Sequence, residues 1–172
     1  MKLNLGSGPT HFDGFLNVDY DPSEGPDVLS EVDALPFEDG AADEILASHI
    51  LEHVPFWSNA VQEWARVLAP GGICWVMVPD IMHIYEAAVQ GGVTYLQAGE
   101  WKPVSYDYVN AAVFGGIVLG PPWNSPGHIH RQIFLGDMLE RQLAPFFSSL
   151  ERTKECSHRE IGDLEICVKA VK

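Results

Sequence analysis

Three groups of residues in this 172-residue chain have types and spacings that could do chemistry. The first is Gly6-Ser7-Gly8, with Asp19 eleven residues beyond Gly8. A glycine turn leaving a buried strand lets a ligand approach the backbone, because no Cβ stands in the way and exposed amides can donate hydrogen bonds. A carboxylate at the tip of the neighbouring strand can accept both hydroxyl hydrogens of a ribose. On their own, the two glycines fit an ordinary turn equally well. The second group is His49, Glu52 and His53, in which two imidazoles four residues apart have the spacing of a zinc pair on one helical face. The HExxH order is missing and no third ligand is indicated, so no metal is expected. The third group is His128 and His130. Imidazole titrates near neutrality, so either could take a proton from a hydroxyl; a helix cap or a surface position is the plain alternative.

The elements that must position these groups alternate along the chain. Leu3 to Leu5 reads as a buried strand, Leu16 to Asp19 as a second, Val28 to Val32 as a weak third, and Ala42 to Ser48 as a fourth. Trp57, Val61, Trp64, Ala65 and Leu68 recur at helical spacing until Pro70-Gly71-Gly72 stops the pattern. Ile73 to Val78 is a fully apolar strand, and Leu150 to Cys156 and Leu164 to Val171 read as two more. Such alternation predicts an α/β sheet covered on two sides.

Composition narrows the function classes. The net charge is −14, and residues 1–55 carry half of the 24 acids with Lys2 as their single Lys or Arg. An acidic field without a basic stripe argues against nucleic acid and for a neutral or cationic small ligand. Cys74, Cys156 and Cys167 are odd in number and scattered, as expected of reduced residues in a cytoplasmic protein rather than a disulfide framework. No apolar run approaches the length of a membrane span, and no secretory leader is evident. At this length one domain is expected, residues 1–172.

Four segments in order, LNLGSG (3–8), DALPF (33–37), LEHV (51–54) and RVLAPGG (66–72), resemble the class I S-adenosylmethionine-dependent methyltransferases, especially small bacterial and phage-type members. The resemblance is strong over residues 2–80 and weak over 128–172. It implies a Rossmann-like, seven-stranded, mostly parallel sheet with an antiparallel last strand, in a three-layer sandwich. It also implies S-adenosylmethionine as cofactor and a small-molecule acceptor, with an oxygen of a sugar or related metabolite favoured. By the same resemblance, Gly6, Ser7 and Gly8 line the methionine and ribose portion, and Asp19, with Tyr20 adjoining, holds the ribose hydroxyls. Asp33 accepts from the adenine amino group, Ala34 offers its amide to the ring next to Leu35, and Ser48 and His49 flank the sulfonium with His53 nearby. His130, before Phe134, is favoured as general base and His128 is its neighbour.

Two departures from the larger family matter. About ten residues separate the first two strands, too few for a crossover helix, so a loop is expected there. No helical cap precedes the first strand, which leaves residues 81–127 as the lid or substrate insert. Its Tyr85, Tyr95, Trp101, Tyr106, Tyr108, Phe114 and Trp123 suit a concave organic site or the packing of a small helical subdomain. A nicotinamide dehydrogenase is disfavoured because its acidic residue comes about twenty residues on and its turn has a third glycine. Arsenic or thiol-dependent methylation would need clustered cysteines. A non-catalytic cofactor-binding module stays open.

Overall fold

A computed structural model describes residues 1–91, 94–97, 100–115, 129–156, 158 and 161–172, with the backbone alone for 95–97 and 100–101. In chain order the elements are β1 (Lys2–Leu5), β2 (Leu16–Asp19), β3 (Val28–Leu29), β4 (Ala42–Ser48), α1 (Trp57–Val67), β5 (Leu68–Pro79) and α2 (Ile81–Gln90), then β6 (Thr94–Gln97), β7 (Glu100–Pro103), α3 (Tyr106–Phe114), α4 (Met138–Leu143), β8 (Ser149–Arg152) and β9 (Glu165–Val171). Seven strands form one sheet in the order β3-β2-β1-β4-β5-β9-β8. The first five are parallel, and β9 runs antiparallel to both of its neighbours. This is the Rossmann-like sheet with an antiparallel last strand that the sequence predicts.

Parallel strands covered on both faces read as nearly continuous apolar runs, and here alternate residues feed two cores. Leu3, Leu5, Ile45, Ala47, Val76 and Val168 pack with Trp64 of α1 and with Leu139 and Leu143 of α4. On the opposite face Leu46, Trp75, Met77 and Cys167 pack with Phe15, Phe12, Cys156 and Ile161. Among the described residues that second cover is made of loops rather than helices. The reason is local: residues 6–15 cross from β1 to its parallel neighbour β2 through turns, since a helical crossover needs a dozen residues or more. The loop is held from beneath by side-chain amides. Asn4 Nδ2 donates to the Thr10 carbonyl at 2.8 Å and to Asn17 Oδ1 at 3.0 Å, and Phe12 N donates to the same Asn17 oxygen.

Helix α1 buries Ala60, Val61, Trp64, Ala65 and Val67 at intervals of three and four. It stops where Leu68 pairs with Ala42, and Pro70-Gly71-Gly72 forms an irregularity at the start of β5. A Cβ at Gly72 would lie 2.9 Å from the Ala69 carbonyl oxygen, so no larger residue fits there. The same helix holds the segment after β3. Trp64 Nε1 donates to the Val32 carbonyl at 2.9 Å, and Glu63 accepts from Leu35 N at 2.8 Å while pairing with Arg66 at 2.7 Å. This explains why the third strand is two residues long instead of five: Val32 and Leu35 leave the sheet edge to join the core under α1. The strand expected over 150–156 is likewise shorter, ending at Arg152.

The expected insert, residues 81–127, is described as far as Gly115. Helices α2 and α3 share a small core of Ile81, Ile84, Ala87, Val104 and Ala112 with Leu164, next to a β6–β7 hairpin. Asp80 and Ser105 cap the two helices by accepting from His83 N and Tyr108 N. Tyr85, Tyr106 and Phe114 are more than half exposed, and Trp123 lies outside the described residues. Among the described residues no helix is long and apolar enough to cross a membrane.

Glu63 yields a pH-dependent prediction. The Arg66 guanidinium holds its carboxyl below the usual range, against the opposing effect of burial. A depressed folded-state pKa means stability that is present above the unfolded value and lost as pH falls through the folded one. Glu63→Gln should therefore cost about 1 to 2 kcal/mol in urea unfolding at pH 7, and the difference from wild type should shrink as the solution is acidified below the ordinary glutamate pKa.

Candidate functional site

The carboxyl ends of β1, β2 and β4 open onto a cavity of about 290 Å³ whose lining includes Gly6, Asp19, Tyr20, Asp33, His53 and Arg131. The turn after β1 differs from the expectation in one respect. Gly6 N and Ser7 N both donate to the Val18 carbonyl, and Gly8 N donates to Asp19 Oδ2 at 2.8 Å, so these amides fasten the turn to β2 rather than standing open. The glycines serve geometry instead. Gly6 has φ +63°, and a Cβ there would lie 2.6 Å from the Ile50 side chain; Gly8 has φ +48° and open space where a Cβ would be. Ser7 Oγ is buried without a hydrogen-bond partner.

Asp19 is 6% exposed, and its second oxygen accepts from Asp21 N at 2.9 Å. Two backbone donors thus fix the carboxylate, and each oxygen keeps a further lone pair for a ligand hydroxyl. Tyr20 sits half exposed at the rim. Asp33 lines the cavity as its proposed role requires. Its neighbours do not: Ala34 N donates to the Glu31 carbonyl, and Leu35 gives its amide to Glu63 and its side chain to the core. Ser48 ends β4 opposite Met77 and does not belong to the cavity lining.

His49 is also outside that lining. It has φ +54°, a left-handed conformation rare for a residue with a Cβ, and its amide donates to the Met77 carbonyl at 2.9 Å. This bend sets the ring between two acids, with Nε2 on Glu165 and Nδ1 at 3.3 Å from Glu52 Oε1. Burial alone would lower the imidazole pKa, but the two carboxylates outweigh it and raise it to about 9. Its position marks it as a partner of the two acids.

Glu52 is 1% exposed, and among the described residues His49 is the group that pairs with its carboxylate, on Oε1. Burial pushes its pKa up, and the adjoining His49 imidazole, with a smaller effect of His53, pulls it below the usual value. The Glu52 carbonyl accepts from Arg131 N at 2.7 Å and from Gln132 N, while Gln132 Nε2 donates to the Leu51 carbonyl at 2.8 Å. These bonds carry His130 to His53, where the rings meet edge to face at 4.6 Å. Glu52, His53 and His130 each offer a ligand atom, all within 4.8 Å of one another. His130 is therefore the third partner that the sequence did not indicate. His130 Nδ1 donates to the Ala112 carbonyl at 2.7 Å, and His53 Nδ1 faces the Ile129 carbonyl at 3.3 Å. A carbonyl only accepts, so in the neutral form of either ring the lone pair is on Nε2. His128 lies outside the described residues. Arg131 of the cavity lining escaped the sequence reading, although it is the basic residue that directly follows His130.

Similarity to known proteins agrees with this geometry. A family profile described as a methyltransferase domain matches residues 16–76. An uncharacterized methyltransferase of Mycobacterium avium is 34% identical over 91 residues, a match that covers 41% of this chain and 36% of the relative. The chain thus matches little more than a third of the length of such curated relatives. A crystal structure of an S-adenosylmethionine-dependent methyltransferase from Thermotoga maritima superposes with a TM-score of 0.62 at 16% identity, covering 99% of this chain and 81% of that one. One from Archaeoglobus fulgidus gives 0.61 at 12% identity, covering 99% and 85%. The segment 16–76 is thus similar to a methyltransferase domain, and the fold is one shared with S-adenosylmethionine-dependent methyltransferases.

Proposed function

We propose that the chain binds S-adenosylmethionine at the carboxyl ends of β1 and β2 and directs methyl transfer to an oxygen of a small molecule, a sugar or related metabolite. The observation that carries this reading is the Asp19 carboxylate, fixed by Gly8 and Asp21 and set in the wall of a cavity that reaches His53. The residues fit the cofactor. Two firmly held oxygens suit a pair of ribose hydroxyls, Ser7 Oγ is a buried hydroxyl in want of a partner beside the turn, and Glu31 and Asp33 favour a ligand with positive charge. When bound, S-adenosylmethionine supplies an electrophilic methyl on a sulfonium. The chain's own work is alignment and exclusion of water, which suffice for much of the rate of an in-line displacement. His130, with its lone pair on Nε2, is placed to manage the proton of an acceptor hydroxyl. The acidic surface supports a small acceptor over nucleic acid, and the free cysteines support a reducing, cytoplasmic setting.

The insert belongs to this reading because α3 supplies the carbonyl that orients His130, and Gly115 bridges to Ile129 beside it. We assign residues 81–115 of it to the acceptor side, as a cover that tightens when both substrates are in place.

Asp19→Ala should weaken S-adenosylmethionine binding by roughly 1.5 to 3 kcal/mol, ten- to over a hundredfold, in calorimetry. The variant should keep its circular-dichroism spectrum. Unchanged affinity in the folded variant would make Asp19 only a fastener of the first turn.

Hydrogen exchange tests the insert. Amides of α2 and α3 should be better protected with cofactor product and acceptor together than with cofactor product alone. Equal protection in the free protein and in both complexes would make the insert a permanently packed subdomain.

A further inference from the structure

We propose that Glu52, His53 and His130 form a site for one divalent cation of borderline softness, such as Zn²⁺ or Co²⁺. Three independent features meet there. Their ligand atoms already lie within 4.8 Å of one another, and metal–ligand distances near 2.0 to 2.2 Å require only a modest contraction. The Glu52 carboxylate is almost fully buried; His49 lies 3.3 Å from Oε1, and among the described residues Oε2 accepts no hydrogen bond. A buried carboxylate left in that state calls for a further positive partner.

The third feature is the orientation of the two imidazoles. Each turns Nδ1 to a main-chain carbonyl, of Ala112 for His130 and of Ile129 for His53, and this fixes the tautomer with Nε2 as the donor to a metal. Metal-binding histidines are held in this way, with the other nitrogen donating to a carbonyl or carboxylate. Two nitrogens and one oxygen suit Zn²⁺ or Co²⁺ better than Mg²⁺ or Ca²⁺, which favour oxygen alone.

Three protein ligands leave at least one coordination position for another molecule. His53 belongs both to this cluster and to the cavity lining, so the cluster adjoins the cavity. A small molecule with a hydroxyl or carboxylate oxygen to give to the ion would bind there. That role rests on the methyltransferase reading, whereas binding of the ion itself does not. With an ion present, His130 positions it and does not accept the acceptor's proton directly.

The test is titration of chelator-treated wild-type protein with Co²⁺ and Zn²⁺, with no other ligand added, followed by calorimetry and by the visible absorption of Co²⁺. One saturable equivalent with ligand-field bands of mixed nitrogen and oxygen coordination is expected. His130→Ala and Glu52→Gln should each weaken it at least tenfold, while His130→Ala keeps its S-adenosylmethionine affinity within about twofold. Absence of saturable binding to the wild type overturns the site whatever the variants do, and so does binding that neither substitution alters. If Glu52→Gln does not fold, His130→Ala decides. Failure of the methyltransferase reading is a separate result, loss of S-adenosylmethionine binding by a wild type that still takes up the ion.

Discussion

The buried carboxylate of Glu52 is the constraint around which the reactive end of this protein is arranged. Removing a carboxylate from water costs several kcal/mol unless charges and donors replace its hydration. Here that replacement comes from His49 on the left-handed bend after β4, while His53, one residue on, and His130, brought in by the segment that follows the insert, stand close by. The Glu52 main chain contributes as well, because its carbonyl takes both the Arg131 and the Gln132 amides. One residue thus connects the end of β4, the insert and the late segment. Without its charge, His49 would lose one of the two acids between which it is held.

The other end of the site depends on a second fixed carboxylate. Asp19 joins β2 to the turn after β1 through Gly8, and the Val18 carbonyl completes the fastening. The connection between these strands is too short to contain a helix, so hydrogen bonds given by Asn4 and accepted by Asn17 and Asp19 do the holding that a packed helix would otherwise do. The cavity lies between these two carboxylate-centred regions, with Arg131 as the cation in its lining. Such placement, at the carboxyl ends of parallel strands, is where open α/β sheets bind ligands.

Much of this was legible in the sequence, and what was not has physical causes. The central strands announced themselves because burial on both faces demands continuous apolar runs, and Asp19 because it ends one of them. Ala34 was misread because a three-residue turn bond to Glu31 uses its amide, a bond invisible to motif spacing. The third strand came out short because Val32 and Leu35 serve α1. His49 went astray through a left-handed bend that histidine rarely adopts. The partnership of His130 with His53 was hidden by distance along the chain, since it is created by the bonds of the Arg131 and Gln132 amides to the Glu52 carbonyl, some eighty positions away.

The most direct measurement of the central claim is a crystal structure of the protein with the demethylated product, S-adenosylhomocysteine. The account predicts both ribose hydroxyls within hydrogen-bond distance of the Asp19 carboxylate, with the adenine towards Asp33 and the sulfur towards His53. Nucleoside density elsewhere on the sheet, or a ribose turned away from Asp19, would contradict it.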